Sequence, residues 1–108
     1  MIIVKEPYTS LILKGQKTHE LRSARVRGIK YLACSTTHTV KALVEFGSAR
    51  LLGKAEYKKT FSEHCCKLAQ KPYRKTWSTK IVCVTILPKP LPYKPKSGAI
   101  GYVRFAKP

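Results

Sequence analysis

Hydrophobic positions in this chain come in short runs, many of them β-branched, separated by breaks that carry glycine, proline or small polar residues. That pattern predicts many short strands and few, short helices. Ile2, Ile3 and Val4 before Pro7 predict a first strand. Tyr8 to Lys14 predicts a short helix, with Thr9 or Ser10 near its start as a cap and Gly15 as its stop. Lys17 to Arg22 predicts an extended segment in which Thr18, Glu20 and Arg22 share one side and Lys17, His19 and Leu21 the other. After Gly28, the run Ile29 to Ser35 suits a strand entering the core.

The second half is less regular. His38 to Phe46 places Val40, Leu43 and Val44 at helical spacing before Gly47, which predicts a short amphipathic helix. Leu51 to Tyr57 predicts a strand, and Ser62 offers an N-cap for a helix over Glu63 to Gln70 that ends at Lys71 and Pro72. Ile81 to Leu87 is the clearest strand. Pro88, Pro90, Pro92 and Pro95 predict a stiff extended connector displaying Lys89, Lys94 and Lys96, before a last strand over Ala99 to Phe105. The sum is an α+β domain built on a small, strongly bent sheet or barrel of about five to six strands with two to three short helices.

Length and composition fit that reading. The 108 residues suffice for one domain with one core, residues 1–108, and an apolar share of 44% is ordinary for a folded protein. No apolar run approaches the roughly 20 residues that span a bilayer, and the N-terminus lacks a signal-peptide layout. A soluble, intracellular protein, cytoplasmic or nuclear, is the expectation. Cys65 and Cys66 are adjacent, and Cys34 and Cys83 lie in apolar runs, so reduced, buried thiols are expected rather than disulfides. No Cys-x-x-Cys pair occurs and adjacent cysteines suit one tetrahedral ion poorly, so no metal is expected, and with no nucleotide-phosphate loop legible neither is another cofactor.

Charge changes the picture most. Twenty-two Lys and Arg stand against five glutamates, Glu6, Glu20, Glu45, Glu56 and Glu63, for a formal net charge of +17. So many cations cannot be paired internally, and the positive field they create favours a polyanion whose bound counterions are released on contact. Nucleic acid is the expected partner. An acidic protein is an alternative, and a membrane is not expected because no amphipathic helix accompanies the charge. Tyr8, Tyr73, Trp77, Tyr93 and Tyr102 offer flat faces for unpaired bases, and Tyr73-Arg74-Lys75-Thr76-Trp77 interleaves aromatics with cations, although Trp77 also suits a core.

The segment from Glu6 to Ser23 contains a Pro-aromatic pair (Pro7, Tyr8), an apolar helix, then Gly15-x-Lys17-Thr18-x-Glu20-x-Arg22. It resembles the signature of the ASCH (activating-signal-cointegrator homology) domains. Ala33-Cys34-Ser35, Gly53 and the proline-rich approach to Gly98 are similar to later family features. The resemblance implies a β-barrel like the PUA fold, with a cleft suited to RNA or a nucleotide-like ligand. Some such proteins hydrolyse the amide of N4-acetylcytidine, others are ribonucleases, and others belong to transcription coactivators, so reaction does not follow from fold.

Candidate residues follow from both lines. The resemblance makes Lys17 the first catalytic candidate and Glu20 the second. A lysine acts as a base or nucleophile when burial or neighbouring cations depress its pKa. In the amidohydrolase branch a threonine stands where Glu20 is, and a further glutamate falls near Ala69, with Glu63 as the nearest substitute. Glu20 and Arg22 equally suit a bracing ion pair, while the Arg22 fork fits phosphate or a base edge. Lys14, Lys17, Arg22, Ser23, Arg25, Arg27, Ser35, Tyr73, Arg74, Lys75, Lys94 and Lys96 form the candidate nucleic-acid-binding set. The primary expectation is a binding module; one alternative is a hydrolase acting on RNA (a ribonuclease) or on a modified nucleoside, and a second is a transcription-coactivator-type interaction domain that uses its positive charge to find an acidic protein.

Overall fold

The computed structural model describes residues 1–94. Its elements run β1 (Ile2–Val4), α1 (Tyr8–Leu13), β2 (His19–Arg22), β3 (Gly28–Cys34), β4 (Thr39–Leu52), α2 (Lys54–Lys59), α3 (Phe61–His64) and β5 (Thr76–Pro92). The five strands form one mixed sheet in the order β1-β3-β4-β5-β2. Only the β1–β3 pair is parallel; the others are antiparallel. The chain is thus a small α+β domain with three short helices, and among the described residues its sheet remains open between β1 and β2.

Alternation explains the long strands. In the first half of β4 the buried positions are Val40, Ala42, Val44 and Phe46, every second residue, so the segment expected as a helix over His38 to Phe46 is a strand. A helical and a two-residue period both fit Val40 and Val44. The choice falls to the strand because β3 and β5 hydrogen-bond to its two edges, while Ala42, Val44 and Phe46 enter the main core. Gly47 does not terminate a helix. It lets β5 approach, since a Cβ there would lie 2.7 Å from the Val82 Cγ2.

Three other expectations are corrected. The strand over Leu51 to Tyr57 ends at Leu52, and Gly53, in extended backbone, opens α2. The helix expected over Glu63 to Gln70 is the single turn Phe61–His64, because Cys65 enters the left-handed region at φ 57° and turns the chain away. Ser62 is not its cap; Thr60 precedes the turn, and its hydroxyl donates back to the Glu56 carbonyl. Pro88, Pro90 and Pro92 lie within β5 rather than in a connector. Pro88 and Pro90 fall where the β4 register skips from Ala42–Ile86 to Val40–Leu91, and β2 pairs only with Trp77 to Lys80, so this stretch of β5 has no strand partner among the described residues that needs their N–H groups. Pro95, Lys96, Tyr102 and the strand expected over Ala99 to Phe105 lie outside the described residues.

The main core gathers Ile2, Val4, Ile12, Leu32, Ala42, Val44 and Phe46 between the sheet and α1. A second cluster, Ala33, Val40 and Tyr93, lies apart from it, and a third, Leu21, Leu52 and Tyr57, holds α2 against the sheet. Tyr93 is therefore core and unavailable for stacking. The cysteines are free, but only Cys34 is buried; Cys65 and Cys66 are partly buried and Cys83 is exposed. No helix among the described residues is long and apolar enough to cross a membrane.

Candidate functional site

Helix α1 begins without a side-chain cap from Pro7. Instead the Glu6 carboxylate accepts from the Ser10 N–H at 2.8 Å and from the Ser10 hydroxyl, while buried Thr9 donates to the Val4 carbonyl at 2.8 Å. These bonds set α1 against the end of β1. The hydrogen bonds to Glu6 hold its carboxyl below the usual range.

At the other end, Gly15 adopts φ 76°, a conformation that costs a side-chain-bearing residue strain. The Gln16 and Lys17 N–H groups then both donate to the Leu11 carbonyl, at 2.9 and 3.0 Å. Thr18 N–H donates to the Glu63 carbonyl, and the Thr18 carbonyl accepts from Ile81 N–H, which joins this corner to α3 and β5. Lys17 therefore precedes β2 and is not bound by its alternation. It is directed inward, where only 4% of its surface is exposed.

Lys17 Nζ donates to the His64 carbonyl at 2.6 Å, lies 3.5 Å from Glu20 Oε1, and sits 5.4 Å from the centre of the Tyr8 ring. Glu20 is also buried, and its second oxygen accepts from Arg22 Nε at 2.9 Å. The Arg22 Nη2 group donates to the Ile3 carbonyl, so one side chain spans the two open edges of the sheet. Lys17 and Glu20, expected on opposite faces of a strand, thus converge, and Glu20 bridges two cations. Burial pushes the Lys17 ammonium below the ordinary lysine range, against the pull of the Glu20 carboxylate.

His64 is a structural partner. Its Nδ1 accepts from the Cys66 N–H at 2.9 Å, which leaves Nε2 to donate to the Tyr57 carbonyl at 2.8 Å. Its ring stacks on Tyr57 at 4.8 Å, and burial holds its pKa down, consistent with a neutral imidazole. Among the described residues, no cluster of three or more His, Cys, Asp or Glu side chains is placed to hold a metal ion.

These groups line an open cleft of about 370 Å³. From the candidate set it gathers Lys17, Glu20, Arg22, Ser35 and Tyr73, and Tyr8 forms part of its wall. Its apolar lining comes from Ile3, Val4, Leu21, Leu68 and Pro72, with Lys5 and Cys66 beside them. Lys14, Ser23, Arg25, Arg27, Lys75 and Lys94 are exposed and lie outside it. Arg25 packs over Trp77 at 5.0 Å, so that ring is engaged. Arg74 lines a second cavity of about 460 Å³, together with Lys54, Lys58 and Lys71, three cations that the sequence pattern did not single out. Lys96 lies outside the described residues.

No family model matches the chain, and no curated protein matches it.

Proposed function

We propose that the protein binds single-stranded nucleic acid, RNA in preference to DNA, and seats one nucleotide of the strand in the cleft beside Lys17, Glu20 and Arg22. The observation that carries this reading is the convergence of those three charged side chains on one open, partly apolar cleft, in a chain of net charge +17. A volume of about 370 Å³ lies in the range of small-ligand sites. Tyr8 and Tyr73 supply faces for base stacking. Arg22 and Lys17 keep N–H groups beyond those already engaged, and the Glu20 carboxylate has lone pairs for an amino group on a base edge.

Preference for RNA rests on the ASCH-like motif, whose Lys17, Glu20 and Arg22 line this cleft. The Arg22 bond to Ile3, which ties the two sheet edges together, supports a PUA-like barrel as the underlying architecture. Fluorescence anisotropy with short single-stranded RNA and DNA across a salt series tests the proposal. The expected result is tighter binding to RNA and a log K that falls linearly with log salt, by about 0.7 per neutralised phosphate. A flat salt response refutes it.

One observation favours a second reading, an RNA-directed hydrolase. Burial lowers the Lys17 pKa at the edge of an open cleft, as a lysine base or nucleophile requires. Incubation with labelled RNA and with N4-acetylcytidine, beside Lys17→Met, tests it. Turnover that the variant loses supports the enzyme; no turnover by the native protein refutes it.

A further inference from the structure

The second cavity adjoins the first. Pro72 and Tyr73 line both, so the loop after α3 forms a ridge with the Lys17 cleft on one side and the second cavity on the other. The two differ in charge. The Lys17 cleft contains a carboxylate; the second cavity is lined by Lys54, Lys58, Lys71 and Arg74 and by no acidic residue.

The four cations have different duties. Lys71 is half-buried and its ammonium donates to the Leu52 and Arg74 carbonyls, at 3.2 and 3.3 Å, which braces the ridge loop against the end of β4. Lys54, Lys58 and Arg74 are exposed, and none forms an ion pair with a carboxylate among the described residues. The nearby glutamates of α2 and α3, Glu56 and Glu63, are both turned to Arg50. The floor is rigid: buried Tyr57 stacks on His64, and its hydroxyl donates to the Leu68 carbonyl at 2.7 Å. Three uncompensated cations around a preformed concavity fit an anion, and a phosphodiester is the anion that a strand threaded over Tyr73 brings there.

We infer that the second cavity is a phosphate subsite, which holds the phosphodiester next to the nucleotide seated in the Lys17 cleft. The inference rests on the nucleic-acid reading of that cleft, and it makes the preferred ligand a strand of at least two nucleotides rather than a free nucleoside. Tyr73 stands between the two subsites, so it contacts the linkage or the base that bridges them.

The test compares the native protein, a Lys54→Gln/Lys58→Gln/Arg74→Gln triple variant and Tyr73→Ala. Each is titrated with a cytidine–cytidine RNA dinucleotide, a longer single strand, the free nucleoside and inorganic phosphate, with melting curves to confirm folding. The triple variant should bind the dinucleotide about tenfold more weakly, a typical effect of losing a charge-assisted hydrogen bond, and its salt slope should fall by about 0.7 per phosphate released. Its affinity for the nucleoside should not change. Equal affinity and slope for the native and triple-variant proteins, while Tyr73→Ala weakens binding, overturns the phosphate subsite and leaves the cleft reading intact. No binding of any strand by the native protein overturns both. Inorganic phosphate competing as well as the dinucleotide overturns the strand assignment in favour of a free anion.

Discussion

Two clusters of positive charge flank Tyr73 and are built in opposite ways. At the corner between α1 and β2, Lys17 and Arg22 are tied to a buried carboxylate and to backbone carbonyls. Across the ridge, Lys54, Lys58 and Arg74 stand in solvent with no carboxylate partner among the described residues. The first arrangement is costly to desolvate and gains little stability over an apolar equivalent, so its value lies in fixing where donors and acceptors point. The second costs the fold almost nothing and contributes a field. A binding surface needs both: fixed groups to select what enters, and mobile charge to attract it.

The largest effect that separates the two clusters should come from Glu20→Ala. It strands two cations, one of them buried, and should destabilise the fold by about 3 to 5 kcal/mol in urea unfolding. An effect near zero would mean that the corner is as loosely held as the rim. Lys17→Met keeps the volume and the Glu20–Arg22 pair but leaves the His64 carbonyl without its donor, so the expected cost is about 1 to 3 kcal/mol.

That variant also sharpens the comparison through pH. The folded state binds the Lys17 proton less tightly than the unfolded chain, so between the lowered folded pKa and the ordinary lysine value of 10.5 the unfolded state holds more protons. Native stability should therefore gain from Lys17 as pH rises through that window, and Lys17→Met should lack the gain. Urea midpoints for both proteins from neutral pH to pH 10 measure it.

Smaller effects lie at the α1 cap and the rim. Ser10→Ala removes a hydrogen bond to Glu6 and should cost up to about 1 kcal/mol at neutral pH. The lowered Glu6 pKa contributes stability above 4.5, and this is lost as pH falls through the folded value, so the difference between native and variant should shrink in acid. At the rim, Lys58→Gln or Arg74→Gln should change stability by less than about 0.5 kcal/mol while weakening strand binding.

What the sequence revealed and what it concealed have physical reasons. The α1–β2 corner was legible because Gly15 is needed at positive φ and the motif residues follow within one short turn. The convergence of Lys17 and Glu20 was not, since it depends on Lys17 lying before β2 and being drawn to the His64 carbonyl, 47 residues away. The helix expected over His38 to Phe46 is a strand because Lys41 and Leu43 are only half-buried between fully covered neighbours, a pattern that needs the flanking strands to decide it. The second cavity was invisible for a related reason: Lys54 and Lys58 come from α2, Arg74 from the loop before β5, and no local pattern joins them. Charge raised the expectation of a polyanion, but tertiary folding chose which few of the 22 cations surround a cavity.

The central claim is that a nucleotide occupies the cleft between Tyr8 and Tyr73, against Lys17, Glu20 and Arg22. Isotope-edited NMR of the native protein, titrated with a short single-stranded RNA at low salt, tests it most directly. The account predicts that the ring resonances of Tyr8 and Tyr73 and the side-chain resonances of Glu20 and Arg22 shift together and saturate on one binding curve. Binding that perturbs only exposed lysines outside the cleft, with those four side chains unmoved, would contradict it.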